Sequence, residues 1–121
     1  MQYLLLIYEN EKRYEKGYDP KEMAAYGAFG KEFGPAIKGG NALQPTSAAT
    51  TVRVRDGKRL TTDGPFAETK EQLGGFYLIE AKDLNEAIQV AARIPGARTG
   101  SIEVRPIQVF DEQTVRMARA G

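Results

Sequence analysis

Three carboxylates and a pair of arginines define the chemistry this chain could attempt. Asp63 stands in Thr62-Asp63-Gly64-Pro65-Phe66, and Glu68 and Glu71 follow in a charged run that ends at Gly74-Gly75. Asp63 could act as a general base or orient a ligand. Equally, Asp-Gly-Pro is turn chemistry: Asp bonds nearby amides, Gly accepts positive φ, and Pro fixes its own φ and lacks a donor. Glu68 and Glu71 would form an acid–base pair if their segment makes a helical turn; otherwise they are a solvated loop balanced by Lys70. Phe66 could wall a pocket or plug the core beneath the loop. Arg53 and Arg55 alternate with Val52 and Val54, so both guanidiniums share one strand face. There they could hold an anion by bidentate bonds or mark the wet side of a hairpin. Gly75 lets the backbone bulge or approach a neighbour closely before the apolar run Phe76–Ile79. The candidate site is therefore Asp63 as the catalytic carboxylate, with Phe66, Glu68, Glu71, Gly75 and Arg53 around a ligand. Gly74-Gly75 precedes a strand rather than a helix, so it gives little support for phosphate binding.

The residues that are missing narrow the field further. The 121-residue chain has no His and no Cys, which removes Ser-His-Asp and Cys-His catalysis and every imidazole or thiolate metal site. No acidic loop has Ca²⁺-binding spacing, so no metal and no cofactor is expected. Acid–base work falls to Asp, Glu, Lys or Tyr. Seventeen basic and sixteen acidic side chains leave a net charge of +1, which argues against a dedicated nucleic-acid surface. The opening Tyr3–Tyr8 run is too short to span a membrane. Together with the absence of cysteine, this favours the cytoplasm.

The elements that must position these groups follow from pattern. Residues 2–8 read as a strand, with Tyr3, Leu5 and Ile7 on one face and Leu4, Leu6 and Tyr8 on the other. Both faces are apolar. Helices in so short a chain cover one, so a second copy is expected on the other. Residues 9–18 read as polar and irregular. Asp19-Pro20 starts a helix, whose stripe Tyr26, Phe29, Phe33 and Ile37 ends at Gly39-Gly40. Ala42–Pro45 reads as a short interrupted strand. Residues 50–62 form a hairpin about Asp56-Gly57. Leu73–Glu80 is a core strand. Asp83 with Glu86 caps a second helix, with Leu84, Ala87, Ile88 and Ala91 inward and Pro95-Gly96 as its stop. A last strand spans 101–110, its apolar phase slipping at Pro106. Residues 111–121 form a tail, helical in part and anchored by Met117. Tyr8 and Tyr26 could present hydroxyls to the cleft, yet both sit on packing faces, which favours a core or interface role. This order is the split βαβ pattern of a ferredoxin-like α+β sandwich.

Val52-Arg53-Val54-Arg55-Asp56-Gly57, Thr62–Glu71 and Leu73-Gly74-Gly75-Phe76-Tyr77 resemble the DGPF branch of the YCII-related family. The likeness begins at Tyr3–Tyr8, continues through Ala91–Pro95 and Val104-Arg105-Pro106, and covers roughly residues 1–110. It implies a ferredoxin-like dimeric α/β-barrel domain over 1–110 and a homodimer. Two kinds of role stand beside it, the first from the density of special-conformation residues around Asp63, the second from the absent His and Cys and the doubly apolar first strand, with only its sigma-factor link implied by the resemblance. One is binding or transforming a small molecule in a cleft near Asp63–Phe66. The other is a non-catalytic regulatory module linked to sigma-factor-dependent transcription. A His–Asp pair is the catalytic suggestion for YCII relatives, and without His this chain cannot supply it.

Overall fold

Strand β1 (Gln2–Glu9) is the centre of the molecule, because its alternate residues Tyr3, Leu5, Ile7 and Glu9 are all buried. The structure, a computed structural model, describes residues 1–120. After β1 come α1 (Pro20–Phe33), β2 (Ile37–Ala42), β3 (Thr50–Arg55), β4 (Lys58–Asp63), β5 (Gln72–Glu80), α2 (Leu84–Arg93), β6 (Ser101–Pro106) and α3 (Glu112–Ala120). Four strands form a sheet in the order β2-β5-β1-β6, with every neighbouring pair antiparallel. With the separate β3–β4 ribbon set aside, β1-α1-β2-β5-α2-β6 is the ferredoxin-like α+β arrangement.

Helices α1 and α2 cover one sheet face. Phe29 of α1 and Ala87, Val90 and Ala91 of α2 join Tyr3, Leu5, Ile7 and Ile79 in a single core. Asp19 caps α1 by accepting from the Lys21 amide at 2.9 Å, with Pro20 in the first turn. Asp83 caps α2 by accepting from the Glu86 amide at 2.9 Å, while the Glu86 carboxylate accepts from the Lys82 amide. These local bonds satisfy amides that a helix start leaves without partners. The opposite sheet face carries Leu4, Leu6, Tyr8, Phe76 and Leu78, all half-buried, with Leu4 opposite Leu78 and Leu6 opposite Phe76.

Gly74 and Gly75 do two different jobs. Ile7 pairs with Gly75 but Tyr8 pairs with Leu73, so Gly74 is the extra residue of a β-bulge. At Gly75 a Cβ would lie 3.0 Å from the Asn41 carbonyl oxygen, so the backbones of β5 and β2 approach closely there. Asp56 and Gly57 both have positive φ, 52° and 74°, as a tight primed hairpin turn requires.

Several elements differ from the sequence expectation. Helix α1 stops at Phe33, and a 3₁₀ turn at Gly34–Ala36 leads straight into β2, so Ile37, Gly39 and Gly40 are strand residues. β2 ends at Ala42, before Pro45, which cannot donate to the ladder. In α2 the inward face is Ala87, Val90 and Ala91, while Leu84 and Ile88 are half exposed. β6 ends at Pro106, leaving Val109 outside and 82% exposed. Residues 112–120 are helical, but Met117 is 69% exposed and anchors nothing.

Candidate ligand-binding cleft

Between α1, the segment after β2 and the far end of β5 lies a cleft of about 940 Å³. Its walls include Tyr14, Tyr18, Glu22 and Tyr26 on one side and Asn41–Pro45 on another, with Gln72, Gly75 and Tyr77 from the sheet. Gly75 contributes backbone alone, which opens space beside β1. Glu11, in the 3₁₀ turn Glu11–Tyr14, ties two of these walls together. Its carboxylate accepts from the Thr46 amide and the Thr46 hydroxyl, each at 2.7 Å.

At the floor sits Glu9, a carboxylate only 3% exposed. Strand alternation turns it inward, in phase with Tyr3, Leu5 and Ile7. Its oxygens are both held: Arg13 donates to Oε2 at 2.8 Å, and the Thr99 hydroxyl donates to Oε1 at 2.8 Å. Arg13 also donates to Glu22 at 3.0 Å and to the Tyr14 hydroxyl at 2.9 Å. Tyr14 in turn donates to Glu22 at 3.3 Å. The result is a network of two carboxylates about one guanidinium, with a phenol alongside. Desolvation works against the charge on Arg13, but its bonds to Glu22 and Glu9 outweigh that and hold its pKa above the ordinary value. Burial, then the charges of Glu9 and Glu22, push the Tyr14 phenol up. Burial and Glu9 push the Tyr26 phenol up to about 12, partly offset by the Gly96 backbone. Both phenols are neutral hydroxyls near pH 7.

Gly96 closes this floor from the α2 side. A Cβ there would lie 2.8 Å from the Tyr26 hydroxyl and 2.9 Å from Glu9 Oε1. Gly100 sits against the Tyr8 carbonyl oxygen with no room for a side chain.

The residues singled out in the sequence fall mostly elsewhere. Gly75 lines the cleft. Asp63 is the exposed last residue of β4, paired with Thr50. The turn after it is held by the Gly64 amide donating to the Ala49 carbonyl and by the Thr51 hydroxyl donating to the Gly64 carbonyl. Gly64 has φ 104°, so it takes the positive φ the turn needs. Phe66 is 77% exposed, and the Arg53 guanidinium lies 5.6 Å from its ring centre. The structure therefore brings Arg53 and Phe66 together, but on the ribbon, outside the cleft lining. Glu68 is exposed. Glu71 accepts from the Ser101 hydroxyl at 2.9 Å, so these two carboxylates have different surroundings.

Glu9, Arg13, Glu22 and Thr99 belong to no motif in the sequence. One signal was available: Glu9 continues the inward phase of an otherwise apolar strand, with Arg13 four residues on.

The fold and cleft define a ferredoxin-like α+β domain with a polar-floored pocket on its helical side. Comparison with known proteins then gives the family. The YCII-related domain matches residues 1–111, and the chain belongs to that family. A Rhizobium meliloti (strain 1021) relative, uncharacterized protein R00369, is 41% identical over 117 residues, covering 91% of this chain and 94% of that protein. Among solved structures, the chain resembles 5-chloro-2-hydroxyhydroquinone dehydrochlorinase (TftG) of Burkholderia phenoliruptrix AC1100, in complex with 2,5-dihydroxybenzoquinone. The TM-score is 0.51 at 15% identity, covering 91% of this chain and 96% of the other. At that identity the likeness is one of fold. No helix among the described residues is long and apolar enough to cross a membrane.

Proposed function

We propose that this protein binds a small organic molecule in the cleft between α1 and the sheet, and that Glu9 is the group through which it acts on that molecule. One observation carries the reading: a carboxylate almost wholly withdrawn from water forms part of the wall of a large cavity. Taking a charge out of water is costly, and an apolar side chain would fill the same space without that penalty. Arg13 and Thr99 donate to Glu9 and fix both of its oxygens. A carboxylate so fixed is oriented to accept a hydrogen bond or a proton from a ligand, while the neutral Tyr26 hydroxyl is able to donate one. The dehydrochlorinase of similar fold, captured with a small ring compound, supports a small-molecule role.

The motif of Asp63–Phe66 and its flanks supports placement in the DGPF branch, and the absence of cysteine supports a cytoplasmic protein. A second reading, a non-catalytic interaction module, has its support at the ribbon. There Val52, Val54, Leu60 and Phe66 are exposed beside Arg53, which suits a partner surface better than an enclosed ligand. The sigma-factor-linked role implied by the family resemblance belongs with this reading, and Asp63 would then act as a turn residue.

A thermal-shift screen of small organic molecules against the wild type and Ala42→Trp separates the two. Ala42 is exposed and lines the cleft, so the indole fills the space without touching the core. Cleft ligands stabilise the wild type, by about 2.7 kcal/mol at one hundred times their dissociation constant, and lose that effect in the variant. Hits that stabilise both proteins equally place binding elsewhere and overturn the cleft reading.

A further inference from the structure

We infer that the ligand of this cleft is an organic cation, an ammonium or amidinium group on an aromatic or apolar body, rather than a carboxylate or a phosphate. The inference rests on the cleft reading above and concerns only the charge of what the cleft accepts. The cavity makes the site; its walls set the sign.

Five carboxylates, Glu9, Glu11, Glu15, Asp19 and Glu22, line the cleft, against one lysine, Lys12. Arg13 lies between Glu9 and Glu22 and offsets one of those two charges. The Glu11 carboxylate is held by the amide and hydroxyl of Thr46, which are neutral donors, so its charge stays uncancelled. Glu15 enters no ion pair among the described residues. An anion entering here would meet a negative field with Lys12 as its only lining counter-charge. The arginine pair that could grip an anion, Arg53 and Arg55, stands outside on the ribbon.

The rest of the wall is aromatic. Tyr14, Tyr18, Tyr26 and Tyr77 line the cleft, and the Tyr14 and Tyr18 rings are 5.1 Å apart at 42°. Aromatic faces attract cations, most strongly away from water. The protein already provides one instance of this recognition. The planar cation of Arg13 sits 5.1 Å from the centre of the Tyr14 ring while bonded to two carboxylates. A ligand cation would find the same two kinds of partner, carboxylate and phenol ring, a few residues further along the wall.

Three probes with one ring system test this: 2-naphthylmethylammonium, 2-naphthalenemethanol and 2-naphthoate. Each is titrated into the full chain while the backbone amide resonances of Glu9, Tyr14, Tyr26 and Gly75 are followed by NMR. The ammonium is expected to saturate these shifts at a concentration about tenfold below that of the naphthoate, with the alcohol between. Added salt should narrow the gap, since part of the attraction is long-range. Glu15→Lys, an exposed change that breaks no bond described here, should narrow it too. Naphthoate or alcohol binding in the cleft as tightly as the ammonium overturns the inference and leaves the cleft reading standing. If none of the three moves the cleft amides, the inference also falls, and the library screen with Ala42→Trp decides separately whether the cleft binds anything.

Discussion

Glu9 is held in place by groups that leave no slack, and its neighbours report on it. Gly96 has no room for even one methyl, because the Tyr26 hydroxyl, Glu9 Oε1 and Ile7 Cγ2 all lie within 3.0 Å of where that methyl would be. Gly96→Ala should therefore displace the floor of the cleft, lowering stability by about 1–3 kcal/mol and weakening any cleft ligand. A urea titration checks the first effect and a binding assay the second; an unchanged midpoint would show that the floor yields easily. Tyr26 gives a pH signature. An unfolded phenol ionises near pH 10, while in the folded state Tyr26 keeps its proton to about 12. Between those values the folded state holds more protons than the unfolded one, so stability falls as pH rises through the window. Tyr14, raised in the same direction, adds to the fall. Tyr26→Phe should lose less stability between pH 10 and 12 than the wild type, read from urea midpoints across that range. A wild-type curve that is flat there would contradict the raised phenol.

Much of the fold was legible at the level of elements, because the signals were local. Asp19-Pro20 and Asp83 with Glu86 each satisfy amides within their own first turn, and Asp56-Gly57 sets a turn by φ alone. The inward parity of Tyr3, Leu5 and Ile7 was equally plain. What was not legible depended on distant partners. Ile37 continues the spacing of the α1 stripe, yet pairing with Ile79 on β5 makes it a strand residue. Val90 is inward in α2 while Ile88 is not, which only the position of the sheet decides. For the site, Gly75 and the Gly74 bulge could be anticipated from a Gly-Gly before a strand. For Glu9 the local signal was its strand phase with Arg13 four residues on, whereas its second partner, Thr99, lies 90 positions away and only the fold brings it there. The β3–β4 ribbon is a further element-scale case. Two strands alone are marginal in water, and this ribbon packs against no other element to the extent that β1, β5 and β6 pack on one another. Hydrogen exchange should find the amides of 50–63 opening well before those of β1 and β5. Equal protection would mean that another chain covers the ribbon in solution.

At the scale of the whole molecule the outstanding feature is the sheet face opposite the helices. Leu4, Leu6, Tyr8, Phe76 and Leu78 form a contiguous apolar surface across the two central strands. Surfaces of that kind mark contact with another molecule, and a second copy of this 13.3 kDa chain, laid sheet to sheet, is the proposed occupant. The dimeric barrel expected from the family resemblance would follow from that contact. Light scattering at micromolar concentration should give twice the chain mass for the wild type and the chain mass for Leu6→Glu. The Leu6→Glu variant places a charge on the open face and leaves the helical core alone. A monomeric wild type would remove both the dimer and the barrel.

The bulge at Gly74 also decides which side chains beyond it reach the site. Side chains along a strand alternate, so one extra residue reverses the facing of everything beyond it. Because Gly74 is that extra residue, Gln72 shares the helical side with Glu9 and lines the cleft, while Leu73 faces the other way beside Tyr8. Deleting the single codon for Gly74 would remove the extra residue and keep this facing, with Gly75 opposite Ile7, Leu73 opposite Tyr8 and Gln72 opposite Glu9 in an unbroken ladder. The in-frame deletion should therefore spare cleft binding and self-association alike, read by titration and by light scattering. A variant that lost both would show that the strands re-register beyond Gly75 and carry Leu73 into the pocket.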